Sequence, residues 1–494
     1  RNGINQQNNI LPVLPSRITD EIDFDNNYGI EGFIDIDKTF DNPDRELNLS
    51  ASYDFEKDNE YEILSHSIID STTLMDEING WNFDVHYKHP FDKKSKIEVG
   101  YDGRINNNKE KMIFEISKEG EEFSGVNNFG YNRNIHGFFL EYDRKLNDRF
   151  SIKPSFRYEF VRKDISFYST KNNTNASSII YTQILNSLKD SVYIDEYSTF
   201  YPDLHFTYNL TDKKSIQFGM SKRVNRPGEG GHGPGARQIR PFPRDVYSEN
   251  FIFLGNPFLK PEYSTQYDLS YKSPLPMGFG YVNLYYHQLE NVIEWYDDDR
   301  FEDKDVLTFR NADSGTNLGL ELFTMVMGQT LGGGYNLSQL EDPSGDYELN
   351  GNSQRLMIYN RISFPEKYIK IFSFEFGFFY MKMTVPGGNL FGSKGTMWAN
   401  MGISKSLFDS KMEISFGIDN LLSSGGFQMN REKPLEGPFS NGYLTATEFT
   451  DVATSRGGRT FKLNFIYRFG QLQEEKRRTR NAVRGGNENM DMGY

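Results

Sequence analysis

The chain of 494 residues contains no cysteine, which excludes disulfide bonds, thiol catalysis and cysteine metal sites together. No stretch approaches the roughly 18 consecutive apolar residues of a membrane-spanning helix, so helical spans are also excluded. The sequence begins at Arg1 with neither an initiator methionine nor a signal segment, and we expect the chain to be processed or incomplete. A net charge of -14 argues against a general nucleic-acid partner.

Aromatic residues are abundant. Phenylalanine occurs 41 times and tyrosine 30 times, although the mean hydropathy is only -0.66. Apolar and aromatic residues recur at every second position with polar residues between them, which is typical of β-strands whose two faces meet different surroundings. Runs of this kind are FKLNFIYRF (461–469), FSFEFGFFY (372–380), LNLSASYDF (47–55), IKPSFRYEF (152–160) and MEISFGID (412–419).

The length of these runs favours a membrane barrel over a soluble sandwich. Many reach about ten residues, the length that a tilted strand needs to cross a bilayer, whereas soluble strands average about five or six. In a membrane barrel the apolar face meets lipid, and the face that carries Glu, Lys, Arg and Gly lines a wet interior.

The connections alternate in length. Short turns are predicted at 41–45, 90–95, 145–149, 211–214, 273–278, 328–334, 365–368 and 408–411. A longer connection is predicted between each pair of these turns, and the longest are 169–197, 222–258 and 425–447. Short turns at one end and long loops at the other are typical of outer-membrane barrels, whose short turns lie in the periplasm. Apolar residues at helical spacing within 177–194 predict a short helix in the first long loop.

These patterns predict an all-β protein, a transmembrane antiparallel outer-membrane β-barrel with about 17 strands in this chain. We assign 1–26 to an irregular entry segment, 27–470 to the barrel and 471–494 to a polar periplasmic tail. Traced backwards from the last strand, the first one starts outside the cell. Because single-chain bacterial barrels have an even number of strands and periplasmic termini, we expect an odd number of strands before residue 27.

Five segments form an ordered set of motifs: YPDLHFTYNLTDKKSIQFGMSKRVNRP (201–227), GNPFLKPEYSTQYDLSY (255–271), FRNADSGTNLGLELF (309–323), FGIDNLL (416–422) and GGRTFKLNFIYRFG (457–470). Together they resemble the barrel of TonB-dependent receptors, and most closely the Bacteroidetes branch called the outer-membrane β-barrel family. Within the third segment, Gly319 and Glu321 are expected to face the interior. The leucines between and beside them, Leu318, Leu320 and Leu322, are expected to face lipid.

The resemblance implies a barrel of about 22 strands, a plug domain inside it, and a periplasmic motif that contacts TonB. Neither the plug nor the motif is found in this sequence, so we interpret the chain as the C-terminal part of such a receptor. The implied function is energised uptake of a ligand across the bacterial outer membrane, with TonB acting through the plug. The alternative is a non-transporting barrel that holds a surface lipoprotein or other subunits of an envelope complex.

Catalysis and metal binding have weak support in the sequence. The seven histidines show no HExxH motif and no defensible Ser-His-Asp spacing, so we expect neither an enzyme nor a cofactor. The segment YDDDRFEDKD (296–305) concentrates carboxylates in an outer loop. Its candidate calcium ligands are Asp297, Asp298, Asp299 and Asp303. A solvated loop tip is the preferred interpretation, because the EF-hand spacing is absent.

The segment KRVNRPGEGGHGPGARQIRPFPRD (222–245) is as rich in glycine and arginine as a phosphate-binding loop. It lacks GxxxxGK[ST] and does not lie between a strand and a helix, so we interpret it as part of an external loop. Its Arg226, His232, Arg237 and Arg240 are candidate contacts for an anionic ligand, for the phosphates of lipopolysaccharide in the outer membrane, or for a neighbouring protein. Packing within the loops and plug is the preferred role of this basic patch.

Overall fold

The alternating runs form one continuous antiparallel sheet of 17 long strands in the computed structural model of the protein, which confirms the all-β barrel prediction. The long strands are β3 (Asp20–Thr39), β4 (Glu46–Ser65), β5 (Ile68–Asp92), β6 (Ser95–Lys118), β7 (Glu121–Lys145), β8 (Phe150–Asn172), β9 (Ser191–Thr211), β10 (Lys214–Asn225), β12 (Glu262–Leu275), β13 (Gly278–Asp297), β14 (Asp305–Val326), β15 (Gln329–Glu341), β16 (Asn352–Phe364), β17 (Ser373–Val385), β19 (Thr396–Leu407), β20 (Met412–Asp419) and β23 (Thr460–Tyr467). Shorter strands are β1 (Ile4–Asn5), β2 (Arg17–Ile18), β11 (Phe251–Phe253), β18 (Gly388–Asn389), β21 (Gly426–Leu435) and β22 (Ala446–Ser455). The helix α1 (Ile180–Ser187) confirms the helix predicted in the first long loop.

The structure describes residues 4–5, 17–18 and 20–468, apart from 66–67, 119, 173–179, 229–237, 244–250, 298–304, 328, 342–351, 365–371, 386–387, 390–391, 393, 409–410, 423–425, 436–445 and 456–457.

Each long strand pairs with the next long strand along the chain, from β3 to β23. Within the described residues β3 pairs with β4 and β23 pairs with β20, and no register joins β3 to β23. The sheet is therefore not closed, and β3 and β23 are its two edges.

The two faces of the sheet differ in chemistry as the alternation predicts. On β14 the outer positions Leu318, Leu320 and Leu322 are all exposed. Gly319 and Glu321 alternate with them on the inner face, where the ring of Tyr285 lies across Gly319. A Cβ added to Gly319 would lie 2.1 Å from Cζ of Tyr285, so only glycine leaves room for that ring.

One end of the sheet, which we call the turn end, carries the short connections. They lie at 40–45, 93–94, 146–149, 212–213, 276–277, 365–372 and 408–411, as the sequence predicts. The turn predicted at 328–334 is wrong in extent, because β15 already begins at Gln329. Its glycines belong to the strand, and a Cβ on Gly332 would lie 2.1 Å from Cζ of Tyr359 on the neighbouring strand.

The opposite end, which we call the loop end, departs further from the prediction. Long connections were expected between all successive turns, but residues 66–67 and 119–120 alone join two of the strand pairs. The chain length lies instead in β5, β6 and β7, which have 25, 24 and 25 residues. Continued strand pairing satisfies the backbone hydrogen-bonding groups that an irregular loop would leave to water.

The boundaries of the barrel also need one correction. β3 begins at Asp20, so residues 20–26 belong to the sheet rather than to an irregular entry segment. The predicted tail, 471–494, lies outside the described residues. In the part of the chain that the structure describes, no helix is long and apolar enough to span a membrane.

Candidate functional site

The inner face at mid-height of β6 to β10 carries linked ion pairs. Arg157 lies between two carboxylates: its Nε is 2.6 Å from Oε1 of Glu159, and its Nη2 is 3.5 Å from Oδ1 of Asp102. Further round the wall, Asp203 lies 2.9 Å from Nε2 of His205 and 3.9 Å from Nη2 of Arg223. This part of the interior is a polar, wet surface, as the alternation predicts for a barrel lumen.

Towards the loop end, the inner face of β6, β7 and β8 changes from polar to apolar. Phe114 and Ile165 are completely buried there, at 0% exposure. The buried apolar residues of these strands in this cluster are Met112, Phe114, Ile116, Phe123, Phe129, Tyr131, Ile165 and Phe167. Because side chains of such size are rarely buried without partners, other parts of the chain must cover this face.

The cover consists of α1 and of residues 226–228, 238–243 and 254–259, which together we call the cap. Leu185 of α1 and Ile239 and Phe242 of the second segment belong to the same buried cluster. The rings of Phe242 and Phe167 meet edge to face, with centroids 6.1 Å apart. The cap therefore packs inside the wall, against the inner face of the strands.

Buried charges fix the cap to the wall. Arg226 pairs with Glu159 of β8, and Arg240 pairs with Glu110 of β6, with every one of these four side chains at most 9% exposed. Loss of one partner from a buried pair leaves an uncompensated charge, so such pairs specify position strongly. Arg226 thus joins the cap to the ion-pair network at mid-height.

Hydrogen bonds to cap carbonyls supplement these pairs. Lys163 of β8 donates from Nζ to the carbonyl of Leu259 at 2.9 Å, and Lys171 donates to the carbonyl of Leu185 in α1. Asp195 lies 3.5 Å from Nζ of Lys163 and supplies the countercharge for this buried ammonium group. The two lysines therefore satisfy carbonyls that the irregular cap would otherwise leave buried and unpaired.

The cap segments are also joined to each other. The amides of Gly255 and Asn256 donate to the carbonyls of Arg240 and Gln238, at 2.9 and 2.7 Å. Gly228 has φ +74°, and a Cβ there would lie 2.4 Å from Cδ1 of Ile239. The glycine-rich sequence at this position therefore serves a left-handed turn and a close approach, both of which favour glycine.

Two of the four residues of the predicted basic patch lie in the described part of the structure. Arg226 and Arg240 are buried in ion pairs with the wall, at 8% and 5% exposure. His232 and Arg237 lie outside the described residues, so their part of the prediction stays a prediction.

Of the predicted calcium ligands, Asp297 ends β13, and its side chain lies outside the described part. Asp298, Asp299 and Asp303 also lie outside it. Among the residues that the structure describes, no group of three or more His, Asp or Glu side chains is placed to hold a metal ion.

Sequence reasoning missed the acidic partners of the cap, Glu110 and Glu159. They are 130 and 67 residues away from Arg240 and Arg226, so no local pattern connects them. A signal did exist on β8, where the inner positions Lys163, Ile165 and Phe167 change from charged to apolar.

Comparisons with known proteins agree with this geometry. A family model described as "Outer membrane protein beta-barrel family" matches residues 38–467. None of the curated proteins compared with the chain is similar in sequence.

Solved structures with a similar fold include two bacterial receptors. The ferric yersiniabactin uptake receptor FyuA from Yersinia pestis has a TM-score of 0.56 at 14% identity, covering 91% of this chain and 62% of that one. The siderophore receptor PiuA from Acinetobacter baumannii has a TM-score of 0.58 at 11% identity, covering 89% of this chain and 64% of that one. The chain thus spans less than two thirds of the length of these receptors, and at such identities the likeness shows the fold alone.

Proposed function

Since the chain belongs to the outer membrane protein beta-barrel family, we propose that it is the barrel of a TonB-dependent receptor of the outer membrane. The observation that carries the proposal is the wall itself, which has an apolar outer face and an inner face of ion pairs such as Arg157 with Asp102 and Glu159. A lumen of this chemistry accommodates a polar domain or solute, and the similar solved structures are receptors for uptake.

In this proposal the turn end lies in the periplasm and the loop end faces the cell surface, in keeping with the loop asymmetry of outer-membrane barrels. The tail 471–494 then extends into the periplasm. We place the chain in the Bacteroidetes branch of the family, because the five motif segments resemble that branch. TonB is the proposed energy-coupling partner, acting through a plug held in the polar lumen. We propose a transport role without catalysis and without a cofactor.

A second candidate function is a scaffold that holds a surface lipoprotein or other envelope subunits. The cap favours it, because buried pairs such as Arg240 with Glu110 make part of the loop end a fixed surface. A fixed loop surface favours stable association with a partner protein over reversible binding of a ligand.

Cross-linking to TonB tests the transport proposal. The full-length receptor, purified from outer membranes, is mixed with the periplasmic domain of TonB and a zero-length cross-linker. We expect a one-to-one product that an excess of unlabelled TonB domain suppresses. A porin of similar size is the control and should give no product. Absence of the product with a folded receptor, together with recovery of stable outer-membrane partners, would contradict transport and support the scaffold.

A further inference from the structure

The outer face of β4 to β8 contains a depression near the loop end, with a volume of about 470 Å³. Binding sites for small molecules usually have volumes of about 300–1,000 Å³. We call the depression the lysine groove and define it by Lys57, Lys109, Lys111, Asn128, Gly130, Asn132, Ser166 and Tyr168. Gly130 belongs to this lining, and a Cβ added there would lie 2.7 Å from Oγ of Ser166 on the neighbouring strand.

Strand register aligns the groove in one row across five strands. Lys57 lies opposite Glu77, which lies opposite Lys109. Lys109 lies opposite Gly130, and Gly130 lies opposite Ser166. The sheet therefore fixes the spacing of the lysines, and no flexible loop is needed to assemble them.

The groove lies on the loop-end side of an aromatic row of the outer face. A second row on this face consists of Tyr53, Trp81 and Ile105, four residues nearer the turn end than Lys57, Glu77 and Lys109. The rings of Tyr53 and Trp81 in that row lie 4.7 Å apart. Four strand residues span about 13 Å, which is about 9 Å along the membrane normal for a strand tilted by about 45°. Aromatic girdles mark the edge of the apolar band, and aromatic side chains continue on this face at the groove itself, where Tyr28 lies opposite Lys57. The lysines therefore lie within the aromatic girdle, near the height of the lipid head groups.

On the outer face of the groove three lysines share the lining with a single carboxylate, that of Glu77, so this lining carries a net positive charge. Lys109 and Lys111 are exposed, and in the part of the chain that the structure describes no ion pair or hydrogen bond involves the ammonium group of Lys57, Lys109 or Lys111. Glu77 is the carboxylate of the lining on their face of the sheet, and it lies opposite both Lys57 and Lys109. Asp76 and Glu110 also adjoin the groove but occupy buried positions of the opposite face, where Glu110 pairs with Arg240.

The rest of the lining suits a sugar. Asn128 and Asn132 offer amide donors and acceptors, Ser166 offers a hydroxyl, and Tyr168 offers an exposed ring at 52%. Amides and aromatic rings bind the hydroxyl groups and apolar faces of sugars, while lysines bind phosphate as point charges. The lining thus combines the features that a phosphorylated sugar needs.

We propose that the lysine groove binds the phosphorylated sugar head group of an outer-leaflet glycolipid, whose acyl chains lie against the aromatic band below it. The proposal rests on the orientation given above, with the loop end at the cell surface. Trp81 and Phe83, 45% and 36% exposed on the same face, supply the apolar surface for those chains. Phosphate in the groove neutralises lysines that would otherwise repel one another.

Lipid binding by the purified full chain tests the proposal. A fluorescent bis-phosphorylated lipid A is titrated into the detergent-solubilised protein, and dephosphorylated lipid A and inorganic phosphate serve as competitors. The test variant is Lys57→Gln, Lys109→Gln and Lys111→Gln combined. We expect its Kd to rise at least about tenfold, since each lysine near an anionic surface contributes roughly a fivefold factor. Dephosphorylated lipid A should compete poorly, and inorganic phosphate weakly, because it lacks the sugar and the chains.

The matched control changes the same number of lysines at the turn end, Lys93→Gln, Lys94→Gln and Lys213→Gln, all of which are exposed. Its Kd should equal that of the wild type. Glu77→Gln should bind more tightly, a gain that misfolding cannot produce. Equal binding by wild type and the triple groove variant, or full competition by dephosphorylated lipid A, would overturn the proposal. Because binding is measured without TonB, its failure leaves the cross-linking result for uptake unaffected.

Discussion

Two parts of the same wall show opposite chemistry on the inner face. At the loop end of β6 to β8 this face is apolar, and the cap covers residues such as Phe114 and Ile165. On β3 and β4 it is acidic, and Asp25 lies opposite Glu60 while Glu31 lies opposite Asp54. Opposed like charges destabilise a sheet, so this face is not selected for the stability of the wall alone. The composition of the inner face therefore follows its surroundings: packed chain at the loop end of β6 to β8, and solvent on β3, where Asp25 and Glu31 are exposed.

The largest expected effect comes from the apolar core of the cap. Phe242→Ala removes a ring that is 3% exposed, and it should lower the local unfolding free energy of the cap by about 3–5 kcal/mol. Hydrogen exchange of the amides at 238–243 and 254–259 measures the change. Phe258→Ala, in the same cap but at 52% exposure, is the control and should cost about 1 kcal/mol. Equal effects of the two variants would show that the cap has no packed core.

The next effect comes from the buried ion pairs. Arg240→Met leaves Glu110 buried without its cation and should destabilise the cap by about 3 kcal/mol, since the pair is almost fully buried. Limited proteolysis at the loop end should then be faster. Adding Glu110→Met should restore most of the protection, because two apolar side chains replace the pair. If the double variant is cleaved as fast as the single one, the pair does not hold the cap.

A smaller effect is expected for the hydrogen bond between wall and cap at Tyr131. Its hydroxyl donates to the carbonyl of Pro227 at 3.3 Å. Tyr131→Phe keeps the ring and should cost about 1 kcal/mol, measured by the same hydrogen exchange. Tyr158→Phe, whose hydroxyl bonds to Ser198 at an exposed position, is the control and should leave exchange in the cap unchanged. A cap that exchanges like the wild type in Tyr131→Phe would contradict the role of this bond.

The smallest effect has the opposite sign and concerns the acidic wall. Glu31→Gln removes one of two opposed carboxylates and should stabilise the isolated chain by about 0.2–1 kcal/mol in urea unfolding. Asp35→Asn, opposite the neutral Ser50, is the control and should change stability less. A loss of stability in Glu31→Gln would show that the acidic wall is already neutralised by a cation.

The sequence predicts the wall well and the cap poorly, for a physical reason. Lipid on one face and water on the other impose a two-residue period on segments such as 461–467. The strands and most of the turns can therefore be predicted from the sequence pattern. Beyond the lipid band both faces of β5 to β7 meet polar surroundings or the cap. The alternation weakens there, and the hairpins joined by 66–67 and 119–120 were therefore expected to be longer loops.

For the candidate site, too, the sequence predicts local structure but not the contacts between distant residues. The composition of 222–245 indicates an irregular loop, and the left-handed backbone of Gly228 agrees with that interpretation. The pairing of Arg226 with Glu159 joins residues on β8 and in the cap that only the folded sheet brings together. A single sequence carries no signal for such a pair.

The central claim, energised uptake through this barrel, is tested most directly by comparing growth in the presence and absence of TonB. The gene is deleted in the source bacterium and in a derivative that lacks TonB, and growth is measured on a panel of limiting iron chelates, glycans, peptides and cobalamin. We predict that the deletion slows growth on at least one ligand in the parent strain and adds no further defect in the strain without TonB. A defect of equal size in both strains would contradict the account.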